Sequence, residues 1–128
     1  MTSQNLSLAK EECGLDPILK AYRILVRAPI IKDKTNGGVI LPSEYREETT
    51  KKAAVGKILK IGPLSFVGEK AKHYKTEVGK WILYSRMERE PAYSIKEGVV
   101  CYYVNDDRIH SELSDEDAQA ILDDLRGY

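Results

Sequence analysis

The side chains of this chain that could do chemistry are two histidines, two cysteines, a cluster of carboxylates and a basic stretch, and their spacing supports no catalytic centre. His73 and His110 lie far apart, with no cysteine or carboxylate at ligand spacing, so each reads as solvated or structural. Cys13 and Cys101 make neither a metal nor a redox spacing. They read as reduced thiols of a cytosolic protein, and the sequence leaves a disulfide between them open. Asp115-Glu116-Asp117 and Asp123-Asp124 read as the start and the solvated face of a helix. Lys70, Lys72 and Lys75, with His73 and Tyr74, could touch RNA or phosphate, but a solvated turn is the better reading because charge runs usually face water. Gly37-Gly38 is followed by no Gly-Lys-Ser/Thr, so it is not a phosphate loop. No Gly-x-Ser-x-Gly elbow occurs. The expectation is a protein that is not an enzyme and that takes no cofactor and no metal.

Composition narrows the partners. At 128 residues and 42% hydrophobic, the chain suits one domain with a small core. A domain of this size buries a modest fraction of its surface, so oligomerisation is a natural supplement. Lys plus Arg number 20 and Asp plus Glu number 20, and this zero balance argues against a dedicated nucleic-acid binder. No apolar run approaches the roughly 18 residues of a membrane span, and the N-terminus has no apolar signal region. A cytoplasmic protein with no membrane partner is expected.

The pattern along the chain is mostly β. Residues 1–16 are polar and without clear periodicity, and read as an N-terminal extension. Strands are expected over Ala21–Ala28, Ala54–Ile61, Trp81–Tyr84 and Val99–Val104, with a further short one at Ile109–Leu113. Gly62-Pro63 and Asn105-Asp106-Asp107 break the pattern between them. Ser114 is a good N-cap for a terminal helix, the acids after it suit the positive end of the helix dipole, and Gly127 ends it. On that helix Ala118, Ile121, Leu122 and Leu125 share one face. Short strands with turns between them and one helix predict an all-β fold, a small irregular β-barrel over residues 17–113 with a helical tail over 114–128. Ile24-Leu25-Val26 and Val99–Val104 are apolar on both faces. One face fills the barrel, and the other is expected to be covered by a neighbouring subunit.

One segment resists a purely structural reading. Between Lys32 and Lys52 the chain is charged, and only Val39, Ile40, Leu41 and Tyr45 offer apolar surface. Three consecutive aliphatics after Gly37-Gly38, with Pro42 directly behind them, are poorly placed for the chain's own core. An exposed apolar patch tends to mean an interaction site, and a loop this long is usually functional or disordered.

The chain resembles the chaperonin-10 co-chaperonin family. The resemblance rests on Arg23-Ile24-Leu25-Val26, Gly37-Gly38-Val39-Ile40-Leu41, Gly56-Lys57-Ile58-Leu59-Lys60-Ile61-Gly62, Val78-Gly79-Lys80-Trp81-Ile82-Leu83-Tyr84 and Asn105-Asp106-Asp107-Arg108-Ile109. It covers Pro17 to Leu113, and its flavour, including Gly62-Pro63-Leu64, is similar to bacteriophage-encoded members, whose setting is the cytoplasm of a bacterial host. The resemblance implies a GroES-like barrel whose subunits form a homo-heptameric ring. That ring caps an ATP-driven chaperonin-60 and closes its folding chamber; the partner, not the ring, binds ATP. It further implies that residues 32–52 are a mobile loop, with Gly37, Gly38, Val39, Ile40 and Leu41 as the chaperonin contact. Residues 62–78 correspond to a roof hairpin. First and last strands of neighbouring subunits pair, which places Tyr22, Ile24, Val26, Ile109 and Leu113 at the subunit interface. The 16 N-terminal residues and the tail after Leu113 exceed the family core. Two further readings remain beside this one: a non-catalytic β-barrel binding module, for which eight tyrosines are available, and a phage assembly protein.

Overall fold

A computed structural model of the chain describes residues 7–29, 54–73 and 75–125. Helix α1 spans Ala9–Cys13 and is followed by strands β1 (Arg23–Arg27), β2 (Val55–Ile61), β3 (Trp81–Tyr84), β4 (Glu90–Ala92), β5 (Cys101–Asn105) and β6 (Ile109–Leu113). Helix α2, Asp115–Leu125, follows β6. All the strands belong to one antiparallel sheet in the order β4-β5-β1-β2-β3-β6.

The β5–β6 link shows that this sheet is curled. The two strands are four places apart in the sheet order, which is about 19 Å if the sheet lay flat. Only the 3-10 turn Asp106–Arg108 joins them, and the chain from Asn105 to Ile109 reaches at most about 14 Å. The sheet therefore bends round until its ends approach, and its concave side encloses one core. Ile24 and Val26 of β1, Ile58 and Ile61 of β2, Ile82 and Tyr84 of β3, and Tyr102 and Val104 of β5 all point into it, and Ile109 of β6 packs against it. The expected barrel-type all-β fold with a short C-terminal helix is what the chain adopts.

A bulge makes this core possible. Ile58 and Ile61 are three residues apart, so strict alternation would send them to opposite faces. The register steps between Leu25 and Val26: Leu25 faces Lys60 while Val26 faces Ile58, leaving Leu59 as the extra residue. The step turns both isoleucines inward opposite Ile24 and Val26, and turns Leu59 outward.

Element boundaries follow the sequence closely. The strands expected at Ala21–Ala28 and Ala54–Ile61 form as β1 and β2, and Trp81–Tyr84 forms as β3. The richest strand begins at Cys101, two residues later than its apolar run. Ser114 caps α2 as expected, its Oγ accepting the Asp117 N–H at 3.1 Å. Ala118 of α2 is buried and Ile121 and Leu122 are half-buried.

Three expectations are corrected. Where a roof hairpin was expected over 62–78, the described residues contain no strand; they form turns and a 3-10 helix, Glu69–His73. The segment is held down because Phe66 and Ala71 enter the core and the Phe66 N–H donates to the buried carboxylate of Asp106 at 3.0 Å. The N-terminal residues, expected as a polar extension, include α1. The outer face of β1, β2 and β5, expected to await a neighbouring subunit, is covered by the chain itself: Ala9, Cys13 and Leu19 pack on Leu25, Leu59 and Cys101. Strand β4 was not expected at all, because Pro91 sits in its middle, a place tolerated at a sheet edge.

Gly62 marks the tightest backbone approach. A Cβ there would lie 2.6 Å from the Arg23 carbonyl oxygen and 2.9 Å from that of Ala21. Both are backbone atoms and cannot swing away, so Gly62→Ala is expected to cost about 1–3 kcal/mol, the usual range for forced overpacking. Urea denaturation reads the loss directly, and an unchanged midpoint would mean that the turn after β2 relaxes freely.

Candidate partner-binding surface

The glycine pair and aliphatic tripeptide, Gly37 to Leu41, lie outside the described residues, as does the rest of 32–52. The structure does fix where that segment departs and returns. β1 and β2 are antiparallel neighbours with Arg27 opposite Lys57, so both ends emerge side by side. The N–H of buried Ala28 donates to the Val100 carbonyl at 2.8 Å, and the Ala54 carbonyl accepts the Tyr84 N–H at 3.1 Å. Both roots are thus bonded to the barrel.

The residues expected at a subunit interface divide. Ile24 and Val26 are wholly buried in the chain's own core, and β1 is bonded on one edge to β2 and on the other to β5. Pairing of β1 with a neighbour's last strand therefore has no edge to use, and these two side chains cannot be contact atoms. Tyr22, just before β1, is exposed, although its carbonyl is occupied by the Asp106 N–H at 3.0 Å. Ile109 and Leu113 are half-buried on β6, which bonds β3 along one edge and, among the described strands, has no partner on the other.

Sequence reasoning missed a second apolar surface beside β4. Met87, Tyr93 and Ile95 are among the most exposed large apolar side chains. Tyr93 joins Arg89, Pro91, Val99 and Tyr102 in lining a shallow groove. Each of the three stands alone among charged or small neighbours in the sequence, so no periodicity marked them. The histidines were also separated too strictly. His73 and His110 line one small pocket together with Lys75, Thr76 and Glu112. The Thr76 hydroxyl donates to Glu112 there at 2.5 Å. Among the described residues, no group of three His, Cys, Asp or Glu side chains could hold a metal ion.

Charge fastens the N-terminal segment over the outer face. The Glu12 carboxylate lies 2.9 Å from Lys57 Nζ and 3.0 Å from Arg27 Nε. Arg27 is buried and stands over the Trp81 ring, 5.4 Å from its centroid. Its Nε meets Glu12 as a charge, without hydrogen-bond alignment. Asp16 accepts from Lys60 Nζ at 2.8 Å and from the Ser7 hydroxyl at 2.9 Å. Burial works against ionising Glu12, but the Lys57 hydrogen bond and the charges of Arg27, Lys57 and Lys96 outweigh it and hold the carboxyl below its ordinary value. Asp16 is held low by its Lys60 hydrogen bond and then by Ser7.

The family model described as the chaperonin 10 Kd subunit matches residues 18–113, a span that includes the tripeptide and every strand. No curated protein matches the chain. No helix among the described residues is long and apolar enough to cross a membrane.

A carboxyl whose folded pKa lies below its unfolded one stabilises the fold above the unfolded value, and that contribution is lost as pH falls through the folded value. The hold of Glu12 and Asp16 on the barrel is therefore complete above about pH 5 and fades below about pH 4. Measured against the intrinsic exchange rate at each pH, the protection of residues 7–16 should fall on acidification before that of β1 and β2 does, and Glu12→Gln should flatten part of the response. Protection of this segment that stays level from pH 6 to pH 3 would show that the ion pairs do not hold it.

Proposed function

The chain belongs to the chaperonin-10 family, a family of co-chaperonins, and we propose on that basis that it forms a homo-heptameric ring that caps an ATP-driven chaperonin-60 and closes its folding chamber. The observation that carries this reading is the family match across 18–113, which takes in both roots of the long segment and the aliphatic tripeptide inside it. In this reading the ring is non-catalytic, acts in the cytoplasm, and leaves ATP to its partner. Val39, Ile40 and Leu41 seat in an apolar site on the chaperonin, with Gly37 and Gly38 giving the backbone freedom to present them. The ring contact draws on Tyr22, Ile109, Leu113 and the open edge of β6, with Ile24 and Val26 left to the core.

Magnitudes favour a multivalent cap over a single-site binder. Burying three aliphatic side chains contributes roughly 5–9 kcal/mol. Fixing a loop costs about 1–2 kcal/mol per residue, so eight residues consume about 8–16 kcal/mol. One chain alone binds weakly. On a ring, every engagement after the first is effectively intramolecular, so the sum holds while each contact stays weak enough to release.

Ile40→Ser removes burial of about 1.5–3 kcal/mol per chain, repeated around the ring. The expected result is a variant with the same native mass as the parent, near seven chains, that no longer caps chaperonin-60 in the presence of nucleotide. Full capping by the variant would place the contact elsewhere, and a parent that sediments as a monomer would remove the ring.

A further inference from the structure

Cys13 and Cys101 have no part in the proposed contacts, and the fold brings them together across 87 intervening residues. Cys13 ends α1 and Cys101 opens β5. Both are free, both are closed off from solvent at 0% and 1% exposure, and both belong to the same outer cluster. The backbone of Cys13 is fixed from the β5 side: its carbonyl accepts the Ile95 N–H at 3.0 Å and the Ser94 hydroxyl at 3.4 Å. Its thiol donates to the Leu15 carbonyl at 3.4 Å. Next to it in the same buried cluster, the Cys101 thiol lies near enough for Cys13 to weigh on its ionisation.

We propose that Cys13 and Cys101 form a reversible disulfide that fastens the N-terminal segment to the barrel, made by exchange with a small-molecule disulfide of the glutathione type. Closed, neither sulfur meets a solute. α1 is five residues long, far below the length at which a helix stands alone, and it is held by ion pairs, a few apolar contacts and hydrogen bonds at its two ends. It is the part of this cluster that can open locally and bring Cys13 to the surface. The Cys13 thiolate, formed by loss of its proton to solvent, attacks one sulfur of the small disulfide. A mixed disulfide forms and one glutathione leaves as thiolate. When α1 closes again, the Cys101 thiolate attacks the Cys13 sulfur, the Cys13–Cys101 bond forms, and the second glutathione leaves. The two protein thiols have lost two electrons and two protons, and the small disulfide has become two thiols. In the closed state burial first, and then the neighbouring thiol, push Cys101 up to about 12, so the closed protein starts no exchange there, and Cys13, carried on the element that opens, takes the first step. The proximity of Cys101 to the mixed disulfide offsets its small thiolate fraction in the second step.

The experiment uses the full chain at neutral pH with excess glutathione disulfide over several hours, followed by acid quench and thiol counting after denaturation. The expected product has lost both thiols, is two hydrogens lighter, carries no glutathione, and runs as a single chain on a non-reducing gel. Its Tm rises by about 5 °C or more because a long loop is closed in the unfolded state. Dithiothreitol reverses each change. Cys101→Ser should stop at a glutathione adduct on Cys13 with no rise in Tm, which separates the cross-link from general effects of the oxidant. Two thiols that persist, a glutathione on each cysteine, or chain-to-chain cross-links would overturn the proposal.

Discussion

Three residues, Asp106–Arg108, separate β5 from β6, and that short link sets the shape of everything around it. It cannot span a flat sheet of this strand order, so the sheet must close on itself and acquire an inside. Asp106 then serves two segments at once. Its backbone N–H reaches the Tyr22 carbonyl before β1, and its buried carboxylate holds the N–H of Phe66, a residue in the left-handed region at φ 59. A non-glycine residue there is strained and persists only where its surroundings over-determine it. The carboxylate bond, together with burial of the Phe66 ring, supplies that determination.

Closing the sheet leaves a second apolar face, since Leu25, Leu59 and Cys101 point away from the barrel interior. A small domain needs such a face covered, and two solutions compete: another copy of the chain or a segment of its own. Here the N-terminal residues provide the cover. Their attachment combines a few buried side chains with ion pairs to Arg27, Lys57 and Lys60, and partly exposed pairs of this kind contribute little each.

Much of the barrel was legible in the sequence because β-branched runs bounded by Gly-Pro and Asn-Asp-Asp are local signals, and so is a serine before three acids. The inner face of β1 could be read from Ile24 and Val26. The face of β2 could not, because the bulge at Leu59 breaks the alternation on which such a reading depends. α1 was hidden for a related reason: of its five residues only Ala9 and Cys13 are buried, too few for a helical period to show. Pro91 concealed β4, and the roof segment was assigned by likeness alone, which carried no information about Phe66 and Ala71 turning inward. For the candidate contact, the sequence marked the tripeptide by its misplaced apolarity. It misassigned Ile24 and Val26, because apolarity on both faces of a strand does not say which neighbour, own or foreign, covers each.

The central place of β1 also governs how the chain reaches this state. Both of its sheet neighbours are remote in sequence: β2 starts beyond a segment of more than two dozen residues, and β5 beyond most of the domain. Loop closure must be paid before either pairing returns any energy, and chains dominated by such contacts fold on the millisecond-to-second scale rather than in microseconds. During synthesis β1 emerges long before β5, with its aliphatic side chains lacking their final cover. A protein assigned to a family that assists folding thus has a strand order that leaves its own first strand waiting for most of the chain to follow.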